Sequence, residues 1–183
     1  MEYQKWIRCK DGRKCCLRNG TERDGAALLA NFILTHGQTD YLLSYPDESR
    51  FTAEQEAEFL RKRAESGREL ELLAELDGVI AGSAGISAVG ERAKVRHRAE
   101  LGLSVDRQYW GLGIGRALLD ACIECAGRAG YEQLELSVVS ENKTAIALYE
   151  KAGFVEFGRN RRGFKSRTAG YQELVYMRLE YPV

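Results

Sequence analysis

The sequence lacks any apolar run close to the roughly 20 residues that a membrane-spanning helix needs. Its opening, Met1 to Lys10, is polar where a leader would run into an apolar stretch. A soluble, cytoplasmic protein is the expectation, without a membrane partner. Proline is scarce, with only Pro46 and Pro182, and no repeat or low-complexity tract breaks the chain, so nothing marks a linker. Its 183 residues then predict one domain spanning 1–183. Net charge is also missing. Lys and Arg total 27, as do Asp and Glu, which removes the electrostatic case for nucleic acid as a partner. The five cysteines are odd in number and lack the spacing of a disulfide framework, which favours a reducing compartment. Cys122 and Cys125 form a C-x-x-C inside an apolar helical segment, with no second pair or histidine cluster. They read as small apolar helix residues, and no metal site is expected. His36 and His97 stand alone and read as structural or surface residues.

What charge there is falls unevenly. Asp40 to Glu58 holds six acids against Arg50, and Arg159 to Arg167 holds Arg159, Arg161, Arg162, Lys165 and Arg167 with no acid. Both read as solvated faces. Between them the order of elements is informative. Arg13 to Arg18 reads as a first strand, and Asp24 caps a helix to about Thr35 with Leu29, Phe32 and Ile33 on one face. Thr52 and Gln55 form a capping box for a second helix to about Ser66, with Ala53, Ala57, Leu60 and Ala64 on one face. Leu70, Leu72, Ala74 and Leu76 alternate with mostly acidic neighbours. Asp77-Gly78 then supplies a two-residue turn into Val79 to Val89, a hairpin. Ala99 to Val105 reads as a strand, Gly113 to Ala129 as a helix with Ile114, Leu118, Cys122 and Cys125 inward, and Gln133 to Val139 as a strand. Together they form a βαβ unit whose strands should be parallel. A fourth helix, Asn142 to Ala152, ends at Gly153, and Phe154 to Arg161 with Tyr171 to Leu179 forms a last strand pair. The result is an α/β fold on a mixed sheet.

Trp110-Gly111-Leu112-Gly113-Ile114-Gly115-Arg116 lies between a strand and the start of an amphipathic helix. Unpaired backbone N–H groups and the helix dipole there favour an anion such as a phosphate or pyrophosphate, although a tight turn needs glycines too. No Lys-Ser or Lys-Thr follows Gly115, so this is no P-loop. The glycines run G-x-G-x-G, which is not the dinucleotide spacing.

With Leu103-Ser104-Val105 before it, this loop resembles the strand and acyl-CoA loop of the GNAT superfamily of N-acetyltransferases, where R/Q-x-x-G-x-G/A is usual; Trp110 stands at the Arg or Gln position. Downstream, Asn142-Lys143-Thr144-Ala145-Ile146-Ala147-Leu148-Tyr149-Glu150-Lys151-Ala152-Gly153-Phe154 is similar to that family's N-x-x-A-x-x-x-Y-x-x-x-G-F segment. The resemblance implies a mixed, mostly antiparallel sheet with a central parallel βαβ unit and four helices.

It also implies acetyl-CoA as acyl donor, bound by Leu103, Ser104 and Val105, by Trp110 to Arg116 and by Asn142, with pantetheine between two parallel strands that splay apart. The thioester carbonyl would face the N–H of Leu103, while Val105 holds the pantetheine amides. Asn142 would also be a helix cap, and Arg116 a phosphate partner or a surface residue. The implied reaction is direct attack by a neutral amine, with Tyr149 as acid and Glu100, acting through water, as base. Ordinary packing for Tyr149 and a solvated strand end for Glu100 are the bland alternatives. The acceptor, a small amine or a protein amino group, would meet the acidic segment, suited to a polyamine, aminoglycoside or lysine-like amine, and the basic one, suited to an acceptor with phosphate or carboxylate. The two segments could instead pair with each other. A non-catalytic acyl-CoA-binding sensor module is the competing class, and a dinucleotide-binding domain a distant third. An exposed final strand would make a homodimer plausible.

Overall fold

The computed structural model describes residues 1–48 and 51–182. Along them run β1 (Gln4–Arg8), β2 (Lys14–Asn19), α1 (Gly25–Gln38), α2 (Ala53–Glu65), β3 (Leu70–Leu76), β4 (Val79–Ala88), β5 (Arg98–Val105), α3 (Ile114–Arg128), β6 (Gln133–Val139), α4 (Lys143–Lys151), β7 (Val155–Ser166) and β8 (Gly170–Glu180). The strands form one sheet in the order β1-β2-β3-β4-β5-β6-β8-β7. Every neighbouring pair is antiparallel except β5 with β6. This is the expected mixed sheet around a βαβ unit. Asp77 and Gly78 turn the β3–β4 hairpin with φ of 53° and 79°, the left-handed pair that a type I′ turn needs.

One face of the sheet carries the larger core. Ile114, Leu118, Cys122 and Cys125 of α3 are fully buried against side chains such as Leu72, Ile86, Ala99 and Leu134, and α4 adds Tyr149. Burial of each large apolar side chain there contributes about 1.5–3 kcal/mol. The other face holds α1 and α2 over a smaller cluster of Leu28, Leu60, Leu73 and Ile80. These two helices meet at backbone contact: a Cβ added at Gly25 would lie 2.5 Å from the carbonyl oxygen of Ala53. The capping box that starts α2 forms as expected, with Gln55 N donating to Thr52 Oγ1 and Thr52 N donating to Gln55 Oε1.

Several sequence expectations shift. A strand precedes the one read at Arg13 to Arg18: β1 is the outermost strand and mostly solvent-facing, with Trp6 64% exposed, so it shows no alternation to detect. Helix α1 turns Gly25, Leu28, Asn31 and Thr35 inward and leaves Ile33 exposed. Its inward stripe holds two polar residues, because Asn31 donates to the Ile80 carbonyl and Thr35 to that of Asn31. The strand read to Arg161 runs on to Ser166, so β7 carries most of the basic segment, with a register shift between Asn160 and Phe164. The final strand β8 is internal, and the sheet edge is β7. The acidic segment is not wholly solvated either, since Glu56 is only 8% exposed. Arg50, read with that segment, lies outside the described residues.

Candidate active site

The parallel pair at the centre of the sheet is short. Arg98, Ala99 and Glu100 of β5 pair with Gln133, Leu134 and Glu135 of β6, and there the pairing ends, although both strands continue. On its other side β5 stays paired to β4 as far as Val105. Val89 N donates to Arg98 O, and Asp106 N to Ala81 O. Antiparallel alternation between these two bonds directs the even-numbered residues of β5 at β4. The backbone groups of Leu101, Leu103 and Val105 therefore face the gap towards β6. Trp110 reaches back into that gap, its Nε1–H donating to Val105 O at 2.6 Å.

Beyond β5 the chain makes a short 3-10 turn at Arg107–Tyr109 and enters the glycine loop. Gly111 and Gly113 have φ of 77° and 92°, and an added Cβ at either would meet nothing within 4 Å. Glycine is needed there for backbone conformation, and space lies open above it. Gly113 is the N-cap of α3 and provides no side-chain cap, so the first amides of that helix keep their anion-binding capacity. Leu112 accepts a hydrogen bond from Lys10 N, which ties the loop to the β1–β2 hairpin. Ile114 is core, and a Cβ added at Gly115 would come into ordinary contact with Val105, Leu103 and Leu148. The far side of the loop is clamped by α1. Gln38 donates to Asp106 Oδ1 and accepts from Arg107 N, both at 2.8 Å. Burial pushes the Asp106 carboxyl up, but hydrogen bonds from Gln38 and Gln108 outweigh it and leave the group below its usual range.

The remaining sequence candidates divide. Arg116 forms an i,i+4 ion pair with Asp120 at 2.8 Å and lies half exposed. Asn142 caps α4, its Oδ1 accepting from Ala145 N at 3.2 Å. Ser104 lies with its side chain on the α1–α2 face, away from the cleft edge. Tyr149 is 8% exposed, 5.9 Å from the Phe154 ring, and burial with the nearby Cys122 pushes its hydroxyl up to about 12. It therefore keeps its proton throughout the neutral range. Glu100 is exposed, at the last rung before the strands part. The acidic and basic segments meet, as one reading allowed: Arg167 pairs with Asp47 at 2.8 Å, and Arg159 turns instead to Glu156 and Glu173.

Sequence reasoning missed one feature. Between α1, α2 and β3–β5 lies a cavity of about 230 Å³ lined by Leu28, Phe32, Phe51, Phe59, Glu56, Glu71, Ser83 and Ser104. Burial pushes the Glu71 carboxyl up to about 7, the Ser83 hydroxyl and Arg63 opposing the shift and Glu56 adding to it. Burial also raises Glu56. The signal available in the sequence was the helical spacing of Glu56, four residues before buried Leu60 and three before Phe59. Among the described residues no group of three or more His, Cys, Asp or Glu side chains is placed to hold a metal ion. No helix there is long and apolar enough to cross a membrane.

Residues 34–154, more than half the chain, match the model of the acetyltransferase (GNAT) family. The L-amino acid N-acetyltransferase AaaT of Escherichia coli is 32% identical over 108 residues, 58% of this chain and 65% of that protein. The chain spans about half to two thirds of the length of such curated relatives. A GNAT-family acetyltransferase from Streptococcus pneumoniae superposes with a TM-score of 0.87 at 33% identity, covering 91% of this chain and 99% of that one. A Salmonella typhimurium acetyltransferase solved with acetyl-CoA shares the fold with a TM-score of 0.79 at 21% identity, covering 91% and 94%. The splayed strands, the glycine loop and these likenesses agree, and the chain belongs to the GNAT family of acetyltransferases, whose members N-acetylate amines with acetyl-CoA.

Proposed function

We propose that this chain is a single-domain cytoplasmic enzyme that moves an acetyl group from acetyl-CoA to a primary amine. The observation that carries the reading is the unpaired edge of β5, with Leu101, Leu103 and Val105 facing a gap that ends at the uncapped start of α3. Pantetheine amides are the right length of hydrogen-bonding chain to pair with that edge, and a pyrophosphate suits the amides behind Gly113. The acetyl-CoA bound in the Salmonella typhimurium acetyltransferase of the same fold supports this choice of donor.

In this reading the acceptor arrives as an ammonium and loses a proton to Glu100 through water. The amine nitrogen then bonds to the thioester carbonyl carbon while the Leu103 N–H faces the developing oxyanion. As the C–S bond breaks, the nitrogen releases its second proton to solvent and Tyr149 supplies one to the departing sulfur, regaining it from water afterwards; its raised pKa keeps that proton available. Thermal-shift titration with CoA, beside a thiol-release assay with acetyl-CoA and a panel of amines, tests the proposal. Stabilisation with turnover is expected. Stabilisation without turnover on any amine would favour a binding module, and no response to CoA would remove the cofactor assignment.

A further inference from the structure

The cavity beneath α1 and α2 has an unusual wall. Glu56 is nine-tenths buried, yet its carboxylate has no hydrogen-bond or ion-pair partner among the described residues. Glu71 enters the same cavity from β3, and its Oε2 lies so close over Gly85 that a Cβ there would fall 2.2 Å from it. Glu56 is near enough for its charge to disfavour that of Glu71. A pair of acids lining one half-open pocket with Leu28, Phe32, Phe59 and the exposed Phe51 is costly to maintain without a cation between them. Aromatic faces add attraction for such a cation.

Among the described residues, the other charged groups around the cavity do not fill this role. Arg63 lies over Phe59 at 4.9 Å, but its guanidinium is engaged by Glu69, the Ile86 carbonyl and Ser87. His36 stacks on Phe32 at 3.7 Å, and burial holds its pKa down, so it is neutral at physiological pH. Arg98 is bound to Glu135. Glu100 sits further along β5, on the row of Ser87 and Glu135.

The position of the cavity relative to the cleft sets a length. Glu71 is opposite Gly85, and Gly85 is opposite Gly102 of β5, so two glycines leave the sheet bare between the carboxylate and the cleft edge. Two strand spacings amount to about 10 Å, and the Glu71 carboxylate already leans across part of the first. An alkyl chain gains about 1.2 Å per bond when extended, so a stem of about five carbons covers what is left.

We propose that this cavity is a subsite for a second cationic group of the acceptor, held by Glu56 and Glu71 among the phenylalanines while the attacking amine lies in the cleft. The preferred acceptor is a diamine whose two nitrogens are separated by an apolar stem. This rests on the transferase reading above and adds the acceptor's chemistry to it.

Three acceptors of one length test the subsite: 1,5-diaminopentane, pentylamine and 5-aminopentanoate, with a distal cation, no charge and an anion. Thiol release should rank them in that order, with kcat/KM about 10- to 100-fold higher for the diamine than for the monoamine. Glu56→Gln and Glu71→Gln should each narrow that ratio. Gly85→Ala should narrow it as well, since it keeps both charges but displaces the Glu71 carboxylate, and it serves where a carboxylate variant folds poorly. Calorimetric binding of 1,5-diaminopentane to the CoA-saturated protein, expected to weaken in the same variants, gives a readout that needs no turnover. Equal rates for diamine and monoamine, a ratio that survives all three substitutions, or no diamine binding to CoA-saturated protein would each overturn the subsite. Failure to respond to CoA at all would instead strike the transferase reading.

Discussion

On the α3 side of the sheet the site is built from backbone. The gap between β5 and β6, the left-handed glycines and the uncapped helix start depend on few side chains. On the α1–α2 side the sheet is thinned to glycine at Gly85 and Gly102, and what is distinctive there is side chain: Glu56, Glu71 and a ring of phenylalanines. A backbone site accepts many sequences provided the chain can turn, whereas a side-chain site changes its ligand with each substitution. In the proposed reading the donor half therefore rests on backbone and the acceptor half on side chains.

Substitutions on the two faces should fail differently. Glu100→Gln should lower kcat about 100-fold with little change in CoA binding, the scale of a lost general base; an unchanged pH–rate profile would remove the assignment. Gly113→Val forces a β-branched residue into a φ of 92° at the cap of α3 and should weaken CoA by about 10- to 100-fold in a thermal-shift titration. Glu71→Gln should act on stability in the opposite direction. Because the folded pKa of Glu71 is raised to about 7 from 4.5, the folded state binds the extra proton, and stability falls as pH rises from about 4.5 through 7. Allowing for partial exposure, the substitution should stabilise by about 2 kcal/mol at pH 8 and by little at pH 4.5, as denaturant midpoints at the two pH values will show. Trp110→Phe is the mildest: it frees the Val105 carbonyl for pantetheine and should tighten CoA by about threefold, read in the same titration.

The unequal legibility of the sequence follows the same division. The glycine loop, the α4 segment and the βαβ order could be read because glycine and helix periodicity report backbone directly, and Ile114, Leu118, Cys122 and Cys125 are buried as expected. Strand β1 left no trace, since an outermost strand with exposed residues has no alternation. Glu56 and Glu71 were missed for another reason. An acid among acids, or one alternating with leucines, looks solvated until α2 is laid on the sheet and closes over it. The basic segment is solvated as read, but on an edge strand: Arg159, Arg161, Arg162 and Lys165 of β7 are all exposed, and such a run of charge leaves no apolar alternation to read.

The three-rung junction between β5 and β6 has a mechanical meaning. The sheet is two panels joined by a short seam, β1 to β5 on one side and β6, β8 and β7 on the other. A pantetheine chain lying along Leu101 to Val105 would lengthen that seam, acting as a temporary strand. Donor occupancy would then be felt as stiffness across the whole molecule, and slowed amide hydrogen exchange in β5 and β6 would be its record.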